Sequence, residues 1–162
     1  MPKRSAGLLL YLVRGDVVEV LIAHPGGPFW ARKDDGSWSI PKGEYTDDED
    51  PWDAARREFA EELGLAAPDG PRINLDPVRQ PSGKILTTFA VEADLDITNA
   101  ASNMFELEWP KGSGRVRQFP EIDRVRWFTV TQARAKLLKG QVPVLDRLMA
   151  HPSMAGLREA PA

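Results

Sequence analysis

A short helix with a recognisable beginning and end constrains this chain more than any other feature. Asp50 is an acidic residue of the kind favoured at an N-cap, Pro51 follows in the first helical position, and Gly64 is the residue type that ends a helix. Between these ends, apolar side chains recur at the spacing of one helical face, namely Trp52, Ala55, Phe59 and Leu63. The sequence therefore predicts a helix over residues 50–64 whose apolar face packs on a sheet.

The same helix carries a second stripe, which is acidic. This stripe consists of Glu58, Glu61 and Glu62. Like charges three or four positions apart on a helix repel each other by about 0.2–0.5 kcal/mol per pair. One interpretation is a solvated acidic face. The other is a site for Mg²⁺ or Mn²⁺, because carboxylate oxygens are the ligands that these hard cations prefer.

Strands and further helices flank this segment. Apolar runs on both sides of Gly15-Asp16 predict a β-hairpin over residues 6–14 and 17–23, and further strands are expected at 38–40, 84–95 and 124–130. Thr131 is expected to cap a helix that runs to about residue 139, and a last helix covers 142–150. Interleaved strands and helices indicate an α/β or α+β sandwich. We expect one domain over residues 1–152 and a frayed tail over 153–162.

Composition excludes several classes of site. The chain has no cysteine and only two histidines, which excludes a disulfide scaffold, a thiol nucleophile and a thiolate zinc site, and argues against a multi-histidine metal site. No segment approaches the roughly 18 apolar residues that cross a bilayer. The apolar run at 8–13 is not followed by the small-residue cleavage pattern of a signal peptide, so we expect a cytoplasmic protein without a membrane partner.

The formal net charge of −3 conceals an uneven distribution. Residues 44–62 contain nine acids and two arginines, a net charge of −7, whereas the rest of the chain has 15 acids and 19 bases, a net charge of +4. The near-neutral total argues against a nucleic-acid coat. An acidic patch on a mildly basic body is instead suited to an anionic substrate that metal ions bridge to the protein.

One motif joins the acidic stripe to the residues before it. The motif has the spacing G-x5-E-x7-R-E-U-x-E-E-x-G-U, where U is a bulky aliphatic residue. It consists of Gly43, then Glu49, then the segment Arg57-Glu58-Phe59-Ala60-Glu61-Glu62-Leu63-Gly64-Leu65. On these residues the chain resembles the Nudix hydrolases, with Phe59 in the first U position as the one departure. The resemblance implies an α/β/α sandwich with a mixed central sheet.

The resemblance also implies roles for individual residues. Glu58, Glu61 and Glu62 correspond to carboxylate ligands of Mg²⁺ or Mn²⁺, and the Gly43 carbonyl to a further ligand. Glu58 or Glu61 is the preferred general base of the three, and Arg57 with Glu49 corresponds to a pair that orients the helix. The implied reaction is attack of water on phosphorus in a nucleoside diphosphate linked to another moiety.

A further catalytic glutamate is expected outside the motif. Some Nudix enzymes use one from a loop before a late strand that carries a tryptophan, and Glu121 precedes Trp127 by six residues. Glu121 is therefore the candidate, with a simple surface acid as the competing assignment. Glu106 and Glu108 are weaker candidates.

Substrate selectivity must come from other segments. Trp38-Ser39-Ile40-Pro41-Lys42-Gly43 resembles the W-x-x-P-K-G sequence of the diadenosine-polyphosphate and diphosphoinositol-polyphosphate branches of the family. We expect Lys42 to contact phosphate and assign Trp38, Arg32 and Lys33 to substrate binding as well. Phe29 and Trp30 either stack a base or pack over the hairpin. His24 either contacts phosphate or is a structural histidine at a strand end. A basic stretch either meets a polyphosphate tail or is ordinary surface charge; it consists of Lys111, Arg115, Arg117, Arg124 and Arg126.

Three functions are compatible with these features. The preferred one is a metal-dependent pyrophosphohydrolase acting on a small anionic substrate, a dinucleoside polyphosphate or a nucleoside triphosphate. The alternatives are an RNA 5′-end pyrophosphohydrolase, against which the even charge argues, and a non-catalytic ligand sensor, against which the intact motif argues. The sequence leaves open the scissile phosphorus, the number of metals and the oligomeric state.

Overall fold

The computed structural model describes residues 2–162. Its strands are β1 (Arg4–Arg14), β2 (Val17–Pro25), β3 (Lys42–Glu44), β4 (Arg72–Arg79), β5 (Ile85–Glu92), β6 (Met104–Glu108), β7 (Val116–Pro120) and β8 (Ile122–Thr129). Its α-helices are α1 (Pro51–Leu63), α2 (Val130–Lys136) and α3 (Val142–Ala150), with short 3₁₀ turns at Lys139–Gln141 and Pro152–Met154. Among the residues described, no helix is both long and apolar enough to cross a membrane.

The central sheet is mixed, and β1 and β2 separate along part of their length. Its order is β4-β5-β1-β2-β8, with β1 parallel to β5 and the other neighbours antiparallel. The second half of β1 pairs with β2, and its first half pairs with β3, so that Ser5 lies opposite Glu44 and Gly7 opposite Lys42. The chain segment at 38–44 therefore runs through the opening between β1 and β2, which places Lys42 and Gly43 at the centre of the sheet.

Helices cover both faces of this sheet, because β1 is apolar on both sides. Leu8 and Leu10 belong to the core under α1, and Leu9 belongs to the core under α2 and α3. The face of α1 that packs on the sheet consists of Ala54, Ala55, Phe59 and Leu63. The predicted α/β/α sandwich with a mixed central sheet is confirmed.

The structure gives α1 the limits that the sequence predicts. The Asp50 carboxylate accepts hydrogen bonds from the backbone N–H groups of Trp52 and Asp53 at 3.0 and 3.2 Å. Gly64 ends the helix in the left-handed conformation with φ of 66°, and a Cβ there would lie 2.1 Å from the carbonyl oxygen of Ala101. Both backbone conformation and space therefore require glycine at this position.

Other elements differ from the prediction. Helix α2 begins at Val130 rather than after Thr131, because Thr129 is the N-cap and forms a reciprocal capping box with Gln132. It ends at Lys136. Strand β4 and the β6–β7 hairpin were not predicted: β4 contains Pro77 at a register shift, and the hairpin strands lack regular alternation of apolar residues.

The expectation of a frayed tail over 153–162 is wrong. Met154 is only 3% exposed and belongs to the core under α2 and α3. The Arg158 N–H donates to the Asp16 carbonyl at 2.7 Å, and the Arg158 carbonyl accepts from Val18 at 2.9 Å, so the tail pairs with the start of β2. Backbone hydrogen bonds anchor these residues, which their Ala, Pro and Gly content does not indicate.

Candidate active site

Gly43 and Glu58 are in close contact where β3 meets α1. A Cβ at position 43 would lie 1.9 Å from the carboxylate carbon of Glu58 and 2.1–2.3 Å from its oxygens. Since real side chains do not approach so closely, the Glu58 carboxylate occupies the space that any residue other than glycine would fill. The glycine of the motif therefore makes room for the first glutamate of the acidic stripe.

Arg57 connects the loop before α1 with two glutamates of the stripe. Its Nε and Nη2 donate to both carboxylate oxygens of Glu49 at 2.9 Å, which is the bidentate geometry that arginine favours. Its Nη1 donates to Glu58 at 2.7 Å and to Glu61 at 3.4 Å. Chiefly through the hydrogen bond with Glu49, these contacts raise the pKa of Arg57, and the same bond lowers the pKa of Glu49.

Glu62 points away from this cluster, towards the segment that carries Lys42. Its Oε2 accepts the backbone N–H of Lys42 at 3.4 Å. Burial raises the pKa of Glu62 to about 8, although the Lys42 charge and N–H act in the opposite direction; the negative charges of Glu58 and Glu121 add to the increase. The carboxylate is thus placed where it is costly to ionise without more positive charge.

A cavity of about 240 Å³ brings distant residues to Glu62. Lys42, Glu62 and Glu121 form the charged part of its lining, so the structure joins Glu121 to the helix face although Glu121 lies 59 positions after Glu62 in the chain. The backbone of Glu121 is held on both sides, since its N–H donates to Asn103 and its carbonyl accepts from Gly26, both at 2.9 Å. Neither Glu106 nor Glu108 lines this cavity: both lie on the β6–β7 hairpin.

The residues predicted to hold a metal have suitable chemistry but are not gathered around one point. Within residues 2–162, no three acidic, histidine or cysteine side chains are arranged to hold a metal ion. Glu58 and Glu61 pair with Arg57 instead, and Glu62 faces Lys42. The donor set still fits Mg²⁺ or Mn²⁺, because it consists of carboxylate oxygens on one helix face, one of them buried with a raised pKa.

The assignment of Trp38 to substrate binding is wrong. Trp38 is 1% exposed, and its Nε1 donates to Asp34 at 2.8 Å. Its ring makes edge-on contacts with His24 and Phe128, with ring centroids 5.2 and 5.0 Å apart. Trp38 is therefore a core residue that cannot contact a substrate.

Arg32 and Lys33 are exposed and do not line the cavity. Lys33 lies over the ring of Trp30, with its ammonium 5.1 Å from the ring centroid. Its backbone carbonyl accepts a hydrogen bond from Nε2 of the fully buried His24 at 2.6 Å, and the other ring nitrogen of His24 bonds to Asp123 at 2.7 Å. His24 is thus structural, as one of its two interpretations expected.

The structure separates the two aromatic candidates and adds residues that sequence reasoning missed. Trp30 lines the cavity, whereas Phe29 is 62% exposed and contacts Trp109 with ring centroids 5.4 Å apart. Ser37, Ser39 and Leu138 also line the cavity. Alternation next to the buried Trp38 could have indicated Ser39, whereas Ser37 is itself buried; nothing in the sequence connects Leu138 with this site.

With this geometry in view, comparisons with known proteins identify the family. The sequence-family model of the NUDIX domain matches residues 1–148. The chain therefore belongs to the Nudix family, and it is a hydrolase that acts on pyrophosphate bonds.

Solved structures show the same fold. RenU, a Nudix hydrolase from M. smegmatis, is 25% identical, with a TM-score of 0.60 over 95% of this chain and 88% of its own. The NUDIX domain of Shewanella oneidensis NrtR, complexed with ADP ribose, is 13% identical, with a TM-score of 0.61 over 91% and 86%. A C. elegans Ap4A hydrolase is 19% identical, with a TM-score of 0.56 over 91% and 96%.

Proposed function

We propose that this protein is a magnesium- or manganese-dependent pyrophosphohydrolase whose substrate is a nucleoside diphosphate linked to another moiety, either a dinucleoside polyphosphate or a nucleoside triphosphate. One observation carries the proposal: a single cavity combines Lys42, a cation suited to phosphate, with the carboxylates of Glu62 and Glu121. Relatives of the same fold include an Ap4A hydrolase and a domain complexed with ADP ribose, and both Ap4A and ADP ribose belong to this chemical class.

We assign roles to the residues from the motif and from the lining of this cavity. Glu58, Glu61 and Glu62, with the Gly43 carbonyl, would hold the metal. When bound, the metal neutralises pyrophosphate charge and makes water a better nucleophile. Lys42 binds a phosphate oxygen as a point charge.

A second group of residues handles the proton and the geometry. Glu121, which lines the cavity, is our candidate to accept a proton from the attacking water, with Glu58 or Glu61 as the competing base. Arg57 is a positioning residue, because it ties Glu49 to Glu58 and Glu61 and so holds the helix face in one orientation.

A substrate panel with product identification tests the proposal. The panel contains diadenosine polyphosphates, nucleoside triphosphates and ADP-ribose, each with Mg²⁺, with Mn²⁺ and with a chelator. We expect metal-dependent release of a nucleotide, and the products identify the phosphorus that is attacked. The variants Glu61→Gln and Glu62→Gln should lose this activity, while Glu106→Gln, a matched change on the β6–β7 hairpin, should retain it.

Two outcomes would favour the alternatives. Binding without turnover across the whole panel would favour a non-catalytic ligand sensor. Turnover confined to triphosphorylated RNA, with a steep dependence on salt, would favour an RNA 5′-end pyrophosphohydrolase with extended backbone contacts. A shallow salt dependence on such RNA would count against those contacts.

A further inference from the structure

A buried glutamine near the candidate site does not cap the helix that it precedes. Gln141 is at the N-cap position of α3 and is 0% exposed, but its side chain forms no hydrogen bond with that helix. Its Oε1 accepts the backbone N–H of Ile40 at 2.9 Å, and its Nε2 donates to Ser39 Oγ at 3.0 Å. A buried amide is costly unless it is bonded. Gln141 therefore bonds to the segment that leads to Lys42.

These bonds continue a backbone ladder at the point where it stops. Trp38 pairs in parallel with the end of α2 and the residues after it: its N–H donates to Lys136 at 2.9 Å, and its carbonyl accepts from Leu138 at 2.8 Å. The next bond of a parallel ladder would join the Ile40 N–H to the Leu138 carbonyl. That carbonyl accepts the backbone N–H of Gln141 at 2.9 Å instead. The Gln141 side chain thus supplies the acceptor that Ile40 needs.

The residues after Ile40 connect this anchor to Lys42. The carbonyl of Pro41 accepts a backbone N–H of β1 at 3.1 Å, and Lys42 pairs with Gly7. The fit against β1 is tight, because a Cβ at Gly7 would lie 3.1 Å from the Pro41 oxygen and 3.3 Å from the Lys42 Cβ. Lys42 is therefore held by β1 directly and by Gln141 through the two residues before it.

The turn that carries Gln141 has firm contacts of its own. A Cβ at Gly140 would lie 2.6 Å from Cδ of Pro81, and α3, which follows, buries Leu145 in the core. The Gln141 amide is thus attached to a fixed support. Without it, the fully buried Ile40 would keep an N–H that has lost its acceptor. Since such a donor costs more than the bond itself contributes, the segment should shift towards another partner.

A shift of this segment would reach the candidate site in two ways. Lys42 lines the cavity together with Glu62 and Glu121, so its ammonium group would move relative to both carboxylates. The backbone N–H of Lys42, which donates to Glu62 at 3.4 Å, would move as well. The position of the cation in the cavity therefore depends on a residue that does not line it.

We propose that Gln141 is a positioning residue, which fixes the segment that presents Lys42 to a phosphate of the substrate. Its effect on substrate binding then passes through Lys42. The part of Lys42 in phosphate binding rests on the proposed function, whereas the support that Gln141 gives to Ile40 does not.

A double-mutant cycle tests this dependence without catalysis. Calorimetric titration with methylene diphosphonate, a pyrophosphate analogue that is not hydrolysed, compares the parent, Gln141→Met, Lys42→Met and the double variant, all with Mg²⁺. Methionine is similar in length to glutamine but has no amide. We expect Gln141→Met to weaken binding about tenfold, on the order of one lost hydrogen bond to a charged group. In the Lys42→Met background it should have no further effect.

Gln132→Met is the matched control. Gln132 Oε1 also accepts a backbone N–H at 2.9 Å, from Thr129 at the start of α2. The control should lower stability but leave diphosphonate binding unchanged. Gln141→Asn, whose amide is one methylene shorter, repeats the test in a variant that keeps a polar side chain.

Two further measurements complete the test. Amide hydrogen exchange at Ile40 should be faster in Gln141→Met than in the parent and unchanged in Gln132→Met. On a substrate that the panel identifies, Gln141→Met should raise KM more than it lowers kcat, because Lys42 binds phosphate.

These experiments separate failure of the inference from failure of the proposed function. If no pyrophosphate bond is cleaved, but Gln141→Met speeds exchange at Ile40 and weakens diphosphonate binding only when Lys42 is present, the hydrolase proposal fails and the positioning role stands. If substrates are cleaved but Gln141→Met changes neither diphosphonate binding nor KM, the positioning role is refuted. Equal weakening in the parent and Lys42→Met backgrounds would also refute it, as would a parent that does not bind the diphosphonate.

Discussion

The two halves of the candidate site are built in different ways. The half around α1 is a continuous network in which Arg57 bonds to Glu49, Glu58 and Glu61, and Glu58 packs on Gly43. The half around the Trp30 loop is assembled from the ends of remote elements, namely the end of β2, the start of β8 and the segment after α2. The first half holds charged groups in a local frame, and the second depends on how distant segments pack.

This difference has a consequence for mutations. Changes in the α1 half should act on the catalytic rate, because its residues orient the carboxylates. Changes in the Trp30 half should act on substrate binding and on stability, because its residues hold a loop. Each prediction below could separate the halves further or show that the division is wrong.

The largest effect is expected from Gly43→Ala. The new Cβ would lie 1.9 Å from the Glu58 carboxylate carbon, so Glu58 must move. Displacing a predicted metal ligand should reduce activity by about 100-fold, at the upper end of changes around metal sites. Steady-state kinetics with Mg²⁺ measure the loss. In a Glu58→Ala background the alanine at 43 has space, so its cost in unfolding free energy should largely disappear; an unchanged cost would refute the clash.

Arg57→Ala should reduce kcat by about 10- to 100-fold, as expected when residues that orient metal ligands are lost. Arg57→Lys should not restore activity fully, because lysine cannot reproduce the bidentate contact with Glu49. The neighbouring Arg56→Ala is the matched control, since Arg56 bonds instead to the backbone carbonyls of Ala67 and Pro68. Equal losses in the Arg56 and Arg57 variants would indicate that activity depends on the positive charge of the helix in general and not on the specific contacts of Arg57.

In the Trp30 half, His24→Ala should destabilise the protein by about 1–3 kcal/mol, because it leaves the Lys33 carbonyl without its donor. Denaturant unfolding measures the change. The control is His151→Ala at the only other histidine, which bonds to Ser153 near the surface. His24→Ala should also raise KM for a nucleotide substrate more than it lowers kcat; the reverse pattern would place His24 with the catalytic half.

The smallest effect is expected from Lys136→Met, which removes the cation that contacts Asp34 and Asp35. The hydrogen bond from Lys136 is the main reason that the pKa of Asp34 lies below its ordinary value of 3.8. A lowered carboxylate pKa contributes stability that is present above the ordinary value and lost as pH falls through the lowered one. Thermal unfolding should therefore show a small loss in the variant near neutral pH.

That loss should shrink as the pH is lowered below 3.8, because protonated Asp34 no longer benefits from the cation. A difference that stays constant down to lower pH would mean that Lys136 stabilises the loop by packing over the Phe128 ring, which lies 5.9 Å away, rather than by charge.

Much of the fold was predictable because its signals are local. The hairpin around Gly15-Asp16, both ends of α1 and the range of α3 depend on turn residues, caps and apolar spacing within a few positions. Strand β4 escaped prediction because Pro77 interrupts it at a register shift. The tail at 153–162 escaped because its order comes from pairing with β2, a contact that no local pattern records.

The residues of the site show the same difference between local signals and long-range contacts. The residue types and spacing of Gly43, Glu49 and Arg57 through Glu62 indicated the acidic face and its family by sequence alone, since helical geometry places such residues together. Only the tertiary structure put Trp38 in the core and Trp30 in the cavity, because two tryptophans eight residues apart in one irregular segment carry no sign of which way each points. It also brought Glu121 to Glu62, because the path of the chain through the β6–β7 hairpin and into β8 decides that contact.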